Sequence, residues 1–311
     1  MSAPLELSVV LPCLNEGSHL ADSLATLCGV LDGLALSYEL VVVDDGSSDD
    51  TWSVLERCAK TRPNLRAVRL SRRFGKELAL AAGLEHARGA AVLVMDADLQ
   101  HPPALIPALV RAWREEQFEV VEAVKVRRGQ EPWLARLGAR VFYPLFRRLS
   151  GFDLEGASDF KLLDRRVLDA WSAMGERNVF FRGMSAWLGF RRKTVPFEVA
   201  PRAGGQSGWS PVRLARLAVN GITSFSSTPI HLITAMGLVF LVFAVLLGIQ
   251  TLYNKLKGGA ETGFTTVIVL VLMVGSLILI ALGVIGLYIA RIYDEVKGRP
   301  RYVVRDRLDP R

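Results

Sequence analysis

Two aspartates one residue apart, Asp96 and Asp98, close an apolar run in AVLVMDADLQHPP, and an adjacent pair, Asp44 and Asp45, closes another in YELVVVDDGS. Like charges at such range repel unless something cationic lies between them. Carboxylates, with the amide of Gln100 beside them, are hard oxygen donors suited to Mg²⁺ or Mn²⁺, and an ion held this way commonly bridges to substrate phosphates. A D-x-D taken alone also fits a surface loop or a helix cap. At the end of a buried strand, with DDGS at a neighbouring strand end, the metal reading is the stronger one. No GxGxxG follows the first apolar run and no GxxxxGK[ST] occurs, so neither a dinucleotide nor a P-loop phosphate cradle is offered.

The elements that must position these carboxylates follow in regular order. LELSVVLP predicts a strand, NEGSHLADSLATL a helix, YELVVVDDGS a strand, SDDTWSVLERCAK a capped helix, LRAVRLS a strand, KELALAAGLEHARG a helix ending at Gly89, and AVLVMDAD a fourth strand. Near-continuous Val and Leu strands alternating with helices predict an α/β fold, a mostly parallel sheet covered on both faces. Such sheets bind ligands at the carboxyl ends of their strands. Asp44, Asp45, Asp96 and Asp98 all fall there, so one crevice can collect them.

The chain has 311 residues, half of them hydrophobic, and the apolar content is uneven. From Pro229 to Tyr253 and from Phe264 to Ala290 there is no charged side chain. Each run exceeds the roughly 20 helical residues that cross a hydrocarbon core. Two buried helices of a soluble protein are the alternative, although such helices seldom run this far without a charge. Met1 to Pro12 lacks a basic n-region, so no cleaved signal peptide is expected. Arg213 and Arg216 precede the first run, and Arg291, Lys297, Arg299, Arg301, Arg305 and Arg307 follow the second, which predicts both termini in the cytoplasm. The predicted organisation is a cytosolic domain over 1–210, a juxtamembrane amphipathic helix over 211–228, spans at 229–253 and 264–290, an external loop at 254–263, and a basic tail at 291–311. Cys13, Cys28 and Cys58 form no CxxC pair and are expected as reduced core thiols.

A formal net charge of +7 suits nucleic acid or an anionic membrane. WLARLGARVFYPLFRRL, within a predicted interface helix over 132–149, interleaves Trp133, Phe142 and Phe146 with Arg136, Arg140, Arg147 and Arg148. That pattern suits a helix lying in the headgroup plane, with an ordinary amphipathic core helix as the alternative. Two apolar runs nearby favour the membrane, and no nucleic-acid partner is expected.

LPCLNE (Leu11 to Glu16), DDGSSDDT (Asp44 to Thr51), DADLQHPP (Asp96 to Pro103), SDFKLLDR (Ser158 to Arg165) and RAGGQSGWS (Arg202 to Ser210) resemble, in order, the motifs of the polyprenyl-phosphate glycosyltransferases. These are inverting GT-A enzymes that include dolichyl-phosphate mannose synthases and bacterial undecaprenyl-phosphate glucosyltransferases. The resemblance implies a GT-A sheet with a C-terminal transmembrane hairpin in the bacterial inner membrane, and often a tetramer. It assigns Pro12, Asn15, Glu16, Asp44, Asp45 and Ser47 to base and ribose recognition. Asp98 becomes the leading metal ligand, with Asp96 and Gln100 beside it. The same residues could instead serve local structure, Asn15 and Ser47 as caps and Pro12 as a strand end.

An acceptor carrying a phosphate needs cations. Arg182, Arg202 and Ser207 are the candidates, with Lys125, Arg127 and Arg128 also eligible. The alternative for these is a solvated basic face drawn to anionic lipid. The family often places a lysine before the aromatic of the last motif; Gly208 stands there, ahead of Trp209, which shifts the load towards Arg202. Asp159 is expected to orient the sugar or acceptor, or to steady Arg182, more than to remove a proton, because a phosphate monoester is already about −1.5 to −2 charged near neutrality. Its alternative role is a cap for the helix starting near Arg165. The implied reaction moves a hexose, foremost glucose from UDP-glucose, to undecaprenyl phosphate with inversion at the cytosolic face. UDP-N-acetylglucosamine, GDP-mannose and a UDP-aminoarabinose donor remain open. A processive polysaccharide synthase is disfavoured by the absence of QxxRW, and a non-catalytic scaffold by the intact DDGS and DADLQ.

Overall fold

In the computed structural model, the described residues are 5–125, 144, 147–148, 158–177, 179–197, 228–257 and 263–309. Two compact units divide the chain, one of Met1–Pro211 with Arg299–Arg311 and the other of Val212–Gly298. The first unit holds a mixed sheet.

Its centre is the predicted alternation. β1 (Leu7–Cys13), β2 (Tyr38–Asp44), β3 (Leu65–Leu70) and β4 (Ala91–Val94) run parallel to one another. They are linked through α1 (Leu20–Asp32), α2 (Thr51–Thr61) and α3 (Lys76–His86). Side chains alternate between faces along each strand. Leu7, Val9 and Leu11 of β1 join a core with Leu20, Leu24 and Leu27 of α1 and with Leu109 of α4 (Ile106–Arg114). On β2 and β3, Val43, Val68 and Leu70 instead meet Ala79 and Ala82 of α3. α3 lies close to the sheet: a β-carbon on Gly83 would sit 2.3 Å from a methyl of Val10. Helices therefore cover both faces, as expected.

Beyond β4 the order departs from simple alternation. β6 (Lys161–Asp164) inserts antiparallel between β4 and β5 (Val120–Lys125), and β7 (Arg192–Phe197) pairs parallel with β5. α5 (Arg165–Ala173) and α6 (Phe181–Trp187) lie between β6 and β7 in sequence. The C-terminal segment is a further departure, because it is not simply a basic tail. β8 (Val304–Leu308) pairs antiparallel with β3 and adds a strand to the sheet edge.

The second unit contains α7 (Thr228–Leu256) and α8 (Phe264–Val296). Ile230–Thr251 and Leu270–Val296 within them are long and apolar enough to cross a membrane. The two helices touch each other and can form a hairpin. The predicted interface helix falls outside the described residues apart from 144, 147 and 148, and so does the juxtamembrane segment up to 227.

Candidate active site

Strand direction explains why the carboxylates meet. β1, β2 and β4 are parallel, so the loops after Cys13, Asp44 and Val94 leave the same edge. β6 is antiparallel to β4, with Lys161 opposite Val94, so Asp159 arrives at that edge from the other direction. β5 is antiparallel to β6 and leaves there after Lys125. Arg127 and Arg128 follow it in sequence but lie outside the described residues, as do Arg202, Ser207 and Gly208.

On one side of the edge, the first two motifs latch together. Pro12 stands in β1 opposite Val43. Asn15, in the left-handed region at φ 57°, donates its backbone N–H to Ser47 Oγ at 2.9 Å and accepts the Ser48 N–H on its side-chain Oδ1 at 2.9 Å. The Glu16 N–H donates to Thr51 Oγ1 at 3.0 Å, and its carboxylate pairs with His19. Burial raises the Glu16 carboxyl against the pull of His19, and the negative charge of Asp98 adds to the rise. Asn15 and Ser47 therefore tie loop to loop and do not cap helices.

Asp44 and Asp45 are both buried but have different partners. Asp44 Oδ1 accepts the Ser47 N–H at 2.8 Å. Its Oδ2 lies 3.4 Å from Arg69 Nε yet lacks a hydrogen-bond partner. Buried polar atoms are nearly always satisfied, and an orphan at a sheet edge is a place for a ligand donor. Asp45 instead uses both oxygens on backbone: it accepts the Phe74 N–H at 2.7 Å and the Gly75 N–H at 2.8 Å. Burial raises its carboxyl although those two amides pull it down. Gly46 between these motifs is at φ +72°, and a β-carbon there would come within 2.5 Å of the Arg72 backbone. DDGS is thus fitted against the RRFGK turn.

That turn delivers a residue the sequence did not single out. Lys76, first in α3, places Nζ 2.6 Å from Asp96 Oδ1 and 2.8 Å from Asp159 Oδ2. Arg182 grips Asp159 in two-point fashion, Nε to Oδ1 at 2.7 Å and Nη2 to Oδ2 at 3.0 Å. Burial pushes the Asp159 carboxyl up, but Arg182 and Lys76 outweigh it and hold the group well below the usual carboxylate range. Burial likewise opposes the charge on Lys76 and Arg182, and the carboxylates overcome it, so both remain protonated. Next to Lys76, Glu77 accepts the Phe181 N–H at 2.7 Å and ties α3 to the helix that carries Arg182. A cation at a helix N-terminus opposes the macrodipole. This is the one signal in the sequence that Lys76 has another purpose.

Asp159 does not cap α5. Asp164 does, accepting the Arg166 N–H at 3.0 Å. His101, of the QHPP stretch, stacks on Phe160 with ring centroids 5.0 Å apart, and its buried Nδ1 has no hydrogen-bond partner.

Asp98 accepts the Gln100 N–H at 3.0 Å across a left-handed Leu99, while Gln100 itself is exposed. Among the described residues no group of three or more His, Cys, Asp or Glu is arranged to hold a metal ion. The donor set fits a divalent cation on narrower terms. Asp98 is a partly exposed hard-oxygen donor at the edge, Asp96 beside it already faces Lys76, and a cation there would need ligands from a bound phosphate, as Mg²⁺ usually takes.

Residues 8–171 match the family described as Glycosyl transferase family 2. An uncharacterized glycosyltransferase of Synechocystis sp. is 40% identical over 304 residues, which is 97% of this chain and 95% of the relative. An SfII prophage-derived bactoprenol glucosyl transferase of Shigella flexneri is 35% identical over 303 residues, 97% of this chain and 98% of the relative. Among solved structures, mannosyl-3-phosphoglycerate synthase from Rubrobacter xylanophilus resembles the fold with a TM-score of 0.50 at 19% identity, over 70% of this chain and 72% of that one.

Proposed function

This chain belongs to glycosyl transferase family 2 and is a glycosyltransferase of GT-A fold, and from that premise we propose that it moves glucose from UDP-glucose to undecaprenyl phosphate, with inversion, at the cytosolic face of the bacterial inner membrane. The observation that carries the reading is the division of one sheet edge. A buried acceptor with no hydrogen bond, Asp44 Oδ2, ion-paired with Arg69, sits on the DDGS side, and two cations gather around Asp159 on the other.

On the donor side, Asp44 accepts from a base N–H or a ribose hydroxyl. Pro12, Asn15, Glu16 and Ser47 shape that pocket, and Asp45 holds the turn that carries Lys76. A divalent cation held by Asp98, with Asp96 and Gln100, would neutralise the departing diphosphate as a Lewis acid. On the acceptor side, Arg182, with Arg127, Arg128, Arg202 and Ser207, receives the lipid phosphate. A phosphate oxygen attacks the anomeric carbon in line, and the bond to the nucleoside diphosphate breaks on the opposite face. Asp159 orients this step. A carboxyl held below its usual range is a weak base, and the phosphate is largely ionised without one. Lys76 spans the two sides by bonding a donor-side and an acceptor-side carboxylate at once. The relatives named for bactoprenol glucosyl transfer support the lipid acceptor and the glucose donor.

Membranes containing the protein, supplied with undecaprenyl phosphate and radiolabelled UDP-glucose, UDP-N-acetylglucosamine, GDP-mannose or UDP-aminoarabinose, are expected to yield label in the lipid extract from UDP-glucose. Label from another donor would replace the sugar and keep the reaction. No label from any donor would overturn both.

A further inference from the structure

β8 carries more than an edge. It brings Asp306 opposite Arg69 in register on β3, and the Arg69 guanidinium divides between the tail and the DDGS loop. Its Nη1 lies 3.8 Å from Asp306, its Nε 3.4 Å from Asp44, and its Nη2 donates to the Ser47 carbonyl at 3.5 Å. The guanidinium also rests over the ring of Trp52, 5.6 Å from its centroid. One side chain therefore touches the tail and two of the residues assigned to the proposed nucleoside pocket, Asp44 and Ser47.

The same tail also reaches α3, the helix that begins at Lys76. Tyr302 donates to Glu85 of α3 at 2.5 Å, and Arg301 approaches the same carboxylate at 3.4 Å. Tyr302 and Val304 pack on the small core of Val43, Val68, Leu70, Ala79 and Ala82, together with Phe74 of the turn that presents Lys76. Without the tail, that core would lose one wall and α3 a lateral tie.

We propose that the segment after the second apolar helix is a positioning element of the donor site, holding Asp44 and Ser47 through Arg69 and the Lys76 turn through Tyr302. The inference rests on the nucleotide reading given above. Nucleotide affinity is then coupled to the docking of β8, and by linkage nucleotide must stabilise that docking in return.

The test uses the full chain in detergent micelles with UDP and GDP as probes. In the wild type, saturating nucleotide is expected to slow amide hydrogen exchange across 304–308. Asp306→Ala and Tyr302→Phe, alone and together, are expected to raise the Kd of the nucleotide that binds by roughly threefold to thirtyfold, the range of such indirect couplings. Asp44→Asn is the reference. If Asp44→Asn loses nucleotide while the tail variants bind as wild type and exchange across 304–308 ignores nucleotide, the inference is overturned and the nucleotide reading stands. If the wild type binds neither nucleotide, or Asp44→Asn binds as wild type, the reading and the inference fall together.

Discussion

Asp159 is nearly buried, carries a formal charge and is bonded by two cations at once. Its depressed carboxyl gives a definite pH expectation. A group whose folded pKa lies below its unfolded value contributes stability above the unfolded value and loses it only as pH falls through the folded one. For Asp159 that loss lies below the ordinary carboxylate range. Lys76, shifted upward, gives up its share only as pH rises past the ordinary lysine range. The cluster is thus fully ionised wherever the enzyme works, and the acid limb of its pH–rate profile belongs to other groups, the lipid phosphate with its second pKa near 6 foremost. Asp159→Asn is expected to lower kcat by about tenfold, short of the ~10²–10⁴ that a lost general base costs. The acid limb should stay where it is in the wild type. An acid limb displaced or abolished in the variant would make Asp159 the base. Asp44, Asp45, Asp96 and Asp98 were legible in the sequence because they close apolar runs, whereas Asp159, which precedes its strand, came only from the motif resemblance. Lys76 was not legible, since its partners lie in distant motifs and a lysine opening a helix reads as solvated.

The parallel half of the sheet was legible for the same reason: every strand there is a continuous apolar run followed by a helix with its own period. The packing of DDGS against RRFGK was not, and it gives a prediction at this scale. Gly46→Ala places a methyl against the Arg72 backbone at a left-handed position, a strain on the order of 1–3 kcal/mol. Because the turn carries Lys76 and DDGS carries Asp44, the variant is expected to lower the thermal midpoint and weaken nucleotide binding together. Loss of neither would show that the loops are free to separate. β6 eluded the sequence reading because KLLD is too short to carry a period, and its place between β4 and β5 depends on remote partners. β8 eluded it because VRDRL reads as charge. Its half-buried Val304, Asp306 and Leu308 do alternate with exposed Arg305 and Arg307, the two-residue period of an edge strand.

At the scale of the whole molecule, β8 bears on topology. A strand that follows both apolar helices pairs in register with β3, which precedes them. A chain that leaves the sheet, crosses a membrane and returns to the same sheet must cross an even number of times. Two helices of sufficient length, joined by a short segment, satisfy that condition as a hairpin. The proposed side rests on charge: the arginines flanking the helices exceed the two lysines between them, and such bias favours basic flanks in the cytoplasm. A nucleotide sugar is supplied there as well, so the proposed reaction and the proposed orientation require each other. A single cysteine introduced at Gly259 is therefore expected to react with an impermeant thiol reagent applied to intact cells, and one introduced at Asp309 only after the cells are opened. Cys13 and Cys28 are buried and Cys58 partly so, all within the first unit, so they should stay silent in the intact-cell arm. Labelling at position 309 from outside would put the catalytic sheet on the far side of the membrane, away from its donor, and the proposed reaction would fail with the orientation.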